Sequence, residues 1–141
     1  MAPLKAFRLG TARVLMRTAE CALDTNTLIS ALDKGELAAV DKALAGRAPI
    51  LSIRAAREYL QKGDIIILRG FLTARGGRIA SAATAAEIVN LQVRARSLGR
   101  VLHYADAEVA ASAIREGIPL MTRDARLHSF LRAAGFQAEL Y

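Results

Sequence analysis

The stretch Cys21-Ala-Leu-Asp-Thr-Asn-Thr-Leu-Ile-Ser-Ala-Leu32 predicts a strand that leads directly into a helix. Three apolar residues followed by the carboxylate of Asp24 are typical of a short buried strand. Either Thr25 or Asn26 can cap the helix, because a side-chain oxygen there can accept hydrogen bonds from amides of the first turn. Apolar side chains then recur at helical spacing, at Leu28, Ile29 and Leu32.

Alternating strands and helices continue outward from this stretch to the end of the chain. Further strands are predicted at residues 49–53, 64–68, 118–122 and 136–140, and further helices at residues 36–45, 54–62, 82–98, 104–116 and 126–134. Residues 69–79, which include three glycines, are predicted as a flexible basic loop or hairpin. Parallel strands need crossover connections, which the helices supply. The order therefore predicts an α/β fold with helices on both faces of a mostly parallel sheet.

The composition fits one soluble domain that follows a basic N-terminal segment. The length of 141 residues is ordinary for a single domain, and 53% hydrophobic residues with 23% charged residues exclude a disordered chain. No apolar run is long enough to span a bilayer, so no membrane span is expected. Residues 1–20 predict a basic amphipathic helix or linker, with a membrane-surface or targeting helix as the alternative. The domain itself is assigned to residues 21–141.

The charge balance favours a polyanionic partner. The chain carries 20 basic and 13 acidic residues, for a formal net charge of +7. Such an excess steers phosphate backbones towards a protein and helps to hold them. The same balance also fits a ribosomal or general nucleic-acid-binding protein, so charge alone does not assign an activity.

Cysteine and histidine chemistry is not favoured. Cys21 is the only cysteine, which excludes an internal disulfide and a multi-cysteine zinc site, and its apolar surroundings predict a buried, inert thiol. His103 and His128 lack the spacing of a zinc motif.

Acidic residues, in contrast, follow the predicted strand ends. Asp24 ends the first strand, Asp124 lies two residues beyond the strand at 118–122, and Asp106 opens the helix before that strand. Glu58 lies in the helix after the second strand. Because the carboxyl ends of parallel strands meet at one edge of a sheet, these four acids are expected to converge.

Four converging carboxylates predict a divalent cation. Like charges a few ångströms apart raise one another's pKa and destabilise the fold, and a cation relieves that repulsion. Mg²⁺ and Mn²⁺ prefer oxygen ligands, and such ions can polarise a phosphodiester and activate a water nucleophile. Each acid also has a structural alternative: Asp24 and Asp124 can cap helices, Asp106 can favour a helix dipole, and Glu58 can form surface ion pairs.

Four short motifs in this order resemble the PIN-domain nucleases. They are Asp24-Thr-Asn26, Ser52 with Glu58 six residues later, Asp106-Ala-Glu-Val-Ala-Ala-Ser-Ala113, and Thr122-Arg-Asp124. The similarity covers about residues 21–140, and the best-known members are the VapC-like toxin ribonucleases. The resemblance implies a three-layer α/β/α sandwich that cleaves RNA with Mg²⁺ or Mn²⁺. It further implies that Asp24, Glu58 and Asp106 bind metal directly or through water and that Asp124 completes the site.

The resemblance also implies supporting residues and partners. Asn26, Ser52 and Thr122 would support the acids, and an antitoxin or immunity protein would inhibit the enzyme. A homodimer, a cytoplasmic location and tRNA, rRNA or mRNA as the substrate are expected on the same basis. Five arginines are candidates for RNA binding: Arg54, Arg57, Arg75, Arg78 and Arg123.

Two departures from the family pattern leave alternatives open. Residues 1–20 precede the first strand, and residues 62–81 are not a simple pair of helices. One alternative is that the chain is the toxic C-terminal domain of a larger secreted toxin that is delivered into another cell. A catalytically inactive RNA-binding module and a purely structural interaction domain are the remaining alternatives.

Overall fold

The structure, a computed structural model, describes residues 19–141. Its strands are β1 (Glu20–Leu23), β2 (Ala48–Leu51), β3 (Arg78–Ile79), β4 (Leu120–Thr122) and β5 (Ala138–Leu140). Its helices are α1 (Thr25–Asp33), α2 (Leu37–Leu44), α3 (Ile53–Leu60), α4 (Ile65–Arg75), α5 (Ala85–Ser97), α6 (Tyr104–Glu116) and α7 (Ala125–Ala133). None of these helices is long and apolar enough to cross a membrane. The predicted N-terminal helix or linker at residues 1–20 lies outside the described residues, except for its last two.

β1 lies at the centre of a five-stranded sheet with the order β3-β2-β1-β4-β5. Every neighbouring pair of strands is parallel, which confirms the predicted sheet. The chain builds the sheet outward from β1 to β3 on one side, and then places β4 and β5 on the other side. Leu23 pairs with Met121, so the carboxyl ends of β1 and β4 lie side by side. Open α/β sheets bind ligands at such a switch point.

The sheet separates two hydrophobic clusters, because successive side chains of a strand point to opposite faces. Cys21 and Leu23 pack with the buried residues of α1 to α4 on one face. Ala22, between them, packs with the buried residues of α5 to α7 on the other. The same alternation places Leu120 and Met121 of β4 in different clusters. The protein is therefore a three-layer α/β/α sandwich, as the family resemblance implies.

The predictions for residues 64–68 as a strand and residues 69–79 as a loop or hairpin are wrong. Most of this region is α4, which begins after Asp64, whose side chain accepts a hydrogen bond from the amide of Ile66 at 2.7 Å. The three consecutive isoleucines from Ile65 favour a strand by local propensity. Tertiary packing decides otherwise, because Leu68 and Phe71, one helical turn apart, are buried while the isoleucines stay exposed. In this region only Arg78 and Ile79 form a strand.

Two helix starts also differ from their predictions. Asp24, rather than Thr25 or Asn26, caps α1 by accepting a hydrogen bond from the amide of Thr27 at 2.8 Å. α5 begins at Ala85 with Thr84 as its cap, three residues after the predicted start at residue 82. Thr84 and Glu87 form a reciprocal capping box there, in which each side chain accepts from the other's amide. The sequence places several suitable caps next to one another, and the local hydrogen bonds select between them.

Two glycines, one in the middle of α4 and one just after it, should respond oppositely to substitution. Gly70 has open space where a Cβ would lie, whereas a Cβ at Gly77 would overlap the carbonyl oxygen of Pro49. We expect Gly70→Ala to stabilise the protein by about 0.4–1 kcal/mol, because it restricts the unfolded chain. Gly77→Ala should destabilise it by about 1–3 kcal/mol, because the backbone of β2 has to shift. Urea unfolding of both variants measures the two effects, and a loss of stability at Gly70 would contradict the assignment of α4.

Candidate active site

Asp24 is the buried acid at the carboxyl end of the central strand. Its side chain is 8% exposed, and its backbone amide donates to the carbonyl oxygen of Met121 in β4. One carboxylate oxygen accepts from the amide of Thr27, and the other accepts from the hydroxyl of Thr122. The side chain is therefore held in one orientation by two neighbouring elements of the fold.

Thr122 joins two of the predicted acids. Its side chain is fully buried at the end of β4. The hydroxyl donates to Asp24 and accepts from the backbone amide of Asp124 at 2.9 Å. Asp124 in turn caps α7, because its carboxylate accepts from the amides of Arg126 and Leu127 at 2.9 and 3.1 Å. The predicted supporting position of Thr122 matches these contacts, and Asp124 also fills the capping position considered as its alternative.

Glu58 approaches the same edge from α3. One of its oxygens accepts from the hydroxyl of Thr25 at 2.6 Å, which ties α3 to the first turn of α1. Ser52 caps α3 by accepting from the amide of Ala55 at 3.0 Å, so it fixes the start of the helix that carries Glu58. The sequence motif does not single out Thr25, because its contact with Glu58 depends on how α1 packs on α3. Asn26, predicted as a support, is exposed.

Asp106 lies in the first turn of α6 and is half-buried. Burial raises the pKa of its carboxyl above the ordinary value of 3.8, and the charges of Asp124 and Asp24 raise it further. Glu58 adds a smaller effect in the same direction, whereas His103 lowers the pKa. The other three predicted acids therefore all lie within electrostatic range of Asp106.

Ion pairing distinguishes these four acids from most others in residues 19–141. Seven acidic side chains there pair with arginines: Glu20, Glu36, Asp41, Glu87, Glu108, Glu116 and Glu139. None of the four site acids forms such a pair in this part of the chain, and the exposed Asp33 and Asp64 are the only other acids without one. No ion pair with lysine or arginine in the described chain therefore offsets the repulsion among the four carboxylates.

The chemistry of this donor set fits a hard divalent cation that keeps part of its water. All four side chains offer carboxylate oxygens, which Mg²⁺ and Mn²⁺ prefer. Among residues 19–141, no three His, Cys, Asp or Glu side chains are close enough together to enclose an ion. Mg²⁺ usually binds through one or two carboxylates, several waters and substrate phosphates, so it does not require such a cage. The residues therefore fit an open, hydrated site.

Most of the arginines predicted to bind RNA are engaged in ion pairs. Arg54 pairs with Glu108, Arg75 with Asp41, Arg78 with both Glu20 and Glu116, and Arg123 with Glu36. Arg57 is exposed and forms no ion pair with the rest of the described chain. Arg75 and Arg78 lie at the end of α4 and the start of β3, not in the flexible loop or hairpin predicted for residues 69–79. RNA binding by these five side chains stays a prediction.

The lone thiol is buried, as predicted. Cys21 is fully enclosed in β1, and burial raises the pKa of its thiol to about 11. A thiol protonated at neutral pH is a poor nucleophile and metal ligand. Cys21 therefore belongs to the hydrophobic core and not to the site.

The raised pKa of Asp106 predicts a pH-dependent effect on stability. The folded state holds the proton of this carboxyl more tightly than the unfolded chain does. The contribution of the protonated carboxyl to the free energy of unfolding is therefore complete below the ordinary pKa of 3.8 and is lost as pH rises through the folded-state pKa. Asp106→Asn removes the charge and should raise the thermal midpoint in EDTA at neutral pH. The increase in thermal midpoint should vanish as the pH is lowered towards 3.8, the ordinary pKa. An increase that stays constant between neutral pH and that value would show that the charge of Asp106 is not its cause.

The fold has close counterparts among solved structures. The chain is similar to a chain of VapBC2 from Rickettsia felis bound to a promoter DNA fragment, with 19% identity and a TM-score of 0.64 over 86% of this chain and 98% of that one. DNA-bound VapBC from Salmonella typhimurium gives 19% identity and a TM-score of 0.62, over 86% and 98%. FitAcB from Neisseria gonorrhoeae gives 20% identity and a TM-score of 0.59, over 84% and 96%.

Sequence comparison alone does not detect this similarity. No protein-family model matches the chain, and no curated protein matches its sequence. At about 20% identity, the agreement with the solved structures concerns the fold. The described chain has the PIN-like α/β/α fold that its four motifs indicate, and it shares this fold with the VapBC and FitAcB structures.

Proposed function

We propose that this protein is a metal-dependent endoribonuclease that hydrolyses RNA phosphodiester bonds at Asp24, Glu58, Asp106 and Asp124. One observation carries the proposal: at the switch point of a parallel sheet, Asp106 feels the charges of Asp24, Glu58 and Asp124, and none of these four acids forms an ion pair with arginine or lysine in the described chain. A carboxyl group whose pKa is raised by burial and by neighbouring carboxylates, as that of Asp106 is, marks a candidate functional site. The net charge of +7 favours a nucleic acid as the substrate.

The ion would supply Lewis acidity and an activated water, as Mg²⁺ or Mn²⁺ does for phosphodiesters. The side chains of the protein would hold and orient the reacting groups. Asp24, fixed by Thr122 and the amide of Thr27, is the rigid ligand of the site. Glu58 is held by the hydroxyl of Thr25, which neighbours Asp24 in the chain. Asp106 accepts no hydrogen bond from the described residues, so its oxygens are open to an ion or its waters.

A cleavage assay tests the proposal. Total RNA is incubated with the purified protein in Mn²⁺, in Mg²⁺ and in EDTA, and the products are separated on a denaturing gel. We expect discrete fragments with either ion and intact RNA in EDTA. The fragments would also distinguish tRNA, rRNA and mRNA as substrates. Intact RNA in every lane, together with salt-dependent RNA binding, would favour the alternative of a catalytically inactive RNA-binding module.

We further propose that the nuclease is a toxin with a cognate inhibitor. The support comes from the fold, because VapBC and FitAB are toxin–antitoxin complexes, and from an apolar surface on α4. Ile65, Ile66 and Ile67 are consecutive and exposed, with 74% of Ile66 accessible. Exposed apolar patches of this kind often mark interaction sites. A cytoplasmic antitoxin, an immunity protein for a secreted toxin and a second copy in a homodimer are the candidate partners.

Expression in a host cell tests the toxin role. We expect growth arrest with the parent protein and normal growth with Asp24→Asn at the same protein level. Arrest by both proteins would show that the toxicity does not come from cleavage.

A further inference from the structure

A cavity of about 700 Å³ lies beside the acidic group. It is formed by the end of α5, the loop that follows it, the start of α6 and the first half of α7. Asp106 and Asp124 line it together with arginine, histidine and apolar side chains. Ligand clefts have volumes of roughly 300–1,000 Å³, so the cavity has room for a nucleotide-sized group next to the carboxylates.

Two arginines of the cavity are available for an anionic ligand. Arg100 and Arg126 both line it, and neither forms an ion pair with another residue of the described chain. One nitrogen of Arg100 donates to the hydroxyl of Ser129 at 3.1 Å, which holds the guanidinium group against α7. A guanidinium group has five donors in a fixed planar arrangement, so Arg100 keeps donors free for a phosphate.

The remaining walls of the cavity are suited to a nucleobase. Val101 lies in the loop between α5 and α6, lines the cavity and is 86% exposed. Leu102 and Phe130 are buried and line the interior of the cavity. A base that leaves its stack can therefore exchange contact with water for contact with apolar groups.

We propose that this cavity binds one nucleotide of single-stranded RNA next to the scissile phosphate, with Arg100 and Arg126 on its phosphates and its base against Val101. The inference rests on the proposed function and adds the position and form of the substrate. Because Asp106 and Asp124 belong both to the cavity and to the acidic group, a strand in the cavity passes directly over the carboxylates. Duplex RNA keeps its bases stacked and paired, so it cannot place a base there without opening.

RNA binding without cleavage tests this inference. The affinity of a fluorescent single-stranded RNA of mixed sequence is measured by anisotropy in EDTA, over a range of salt concentrations. We expect Arg100→Ala and Arg126→Ala each to weaken binding about tenfold, as loss of a charge-assisted hydrogen bond implies. Each variant should also lower the salt slope by about one, because one phosphate contact is lost.

Arg132→Ala is the matched control. Arg132 lies on the same helix as Arg126, is exposed, does not line the cavity and forms no ion pair with the described residues. Its removal should change the affinity by less than about twofold. Equal losses in all three variants would overturn the inference in favour of diffuse attraction to a basic surface. Binding of the same RNA as a duplex with equal affinity would also overturn it.

Cleavage kinetics separate this inference from the proposed function. In Mn²⁺, the two cavity variants should raise KM by about the same factor as they weaken binding, and kcat should change little. Cleavage with an unchanged KM in both variants would refute the cavity assignment and leave the nuclease intact. If the parent protein does not cleave RNA but the binding differences persist, the proposed function fails and the nucleotide site stands.

Discussion

Replacing Asp24 with asparagine should lower the rate of RNA cleavage by more than about 100-fold. Loss of an outer-shell partner typically costs about 10–100-fold, and Asp24 is proposed to bind the ion itself. The substitution should leave the fold intact, because asparagine is a good helix cap: its carbonyl oxygen can accept from the amide of Thr27, and its amide nitrogen can donate to the hydroxyl oxygen of Thr122. The loss should therefore come from the missing charge and not from unfolding.

The rate is measured with a labelled RNA in excess Mn²⁺, and the thermal midpoint is recorded alongside it. Asp33→Asn is the matched control, because Asp33 is an exposed aspartate at the end of the same helix and forms no ion pair with the described chain. The control should cleave RNA at the parent rate. Near-parent activity of Asp24→Asn with a parent-like midpoint would remove Asp24 from the site.

Thr122→Val should reduce both stability and activity. Valine has nearly the same shape but no hydroxyl, so it leaves an oxygen of Asp24 and the amide of Asp124 without their partner. An unsatisfied buried polar group costs about 1–3 kcal/mol, which urea unfolding would measure. Cleavage should fall about 10–100-fold, because Asp24 loses the contact that orients it.

Thr122→Ser separates orientation from packing. Serine keeps the hydroxyl and removes only a methyl group, so cleavage should recover to within a few fold of the parent rate while part of the stability loss remains. Cleavage at the parent rate by Thr122→Val, or no recovery of cleavage in Thr122→Ser, would show that the hydroxyl is not what orients Asp24.

The sequence was sufficient to predict the positions of the acids that follow strand ends. Asp24 follows β1 and Asp124 follows β4, and the parallel sheet brings these two ends together because β1 and β4 are neighbours. Asp106 could be predicted because it lies in the first turn of α6, and Glu58 because it lies on the helix that follows β2. The spacing of apolar residues and the shared direction of the parallel strands determine these positions, and both can be inferred from short stretches of sequence.

The errors arise where distant packing overrides local preference. Ile65, Ile66 and Ile67 favour a strand by themselves, but burial of Leu68 and Phe71 against the sheet requires a helix. Nothing within that segment of sequence reveals the packing partner.

Long-range contacts also decide the roles of single side chains. The partners of Arg75 and Arg78 are 34 to 58 residues away, so their ion pairs could not be predicted from the neighbouring residues in the sequence. The contact between Thr25 and Glu58 spans 33 residues and is hidden for the same reason. Arg100 and Arg126 become candidates for RNA binding only when the cavity between α5 and α7 is known.

The central claim is that the four carboxylates bind the divalent cation that cleaves RNA. Calorimetric titration of Mn²⁺ into the parent protein and into Asp106→Asn tests it most directly, because Asp106 is influenced by the other three acids and accepts no hydrogen bond from the described chain. We predict saturable binding to the parent protein and at least about tenfold weaker binding to the variant. Equal binding by both proteins, or no binding by the parent protein, would contradict the claim.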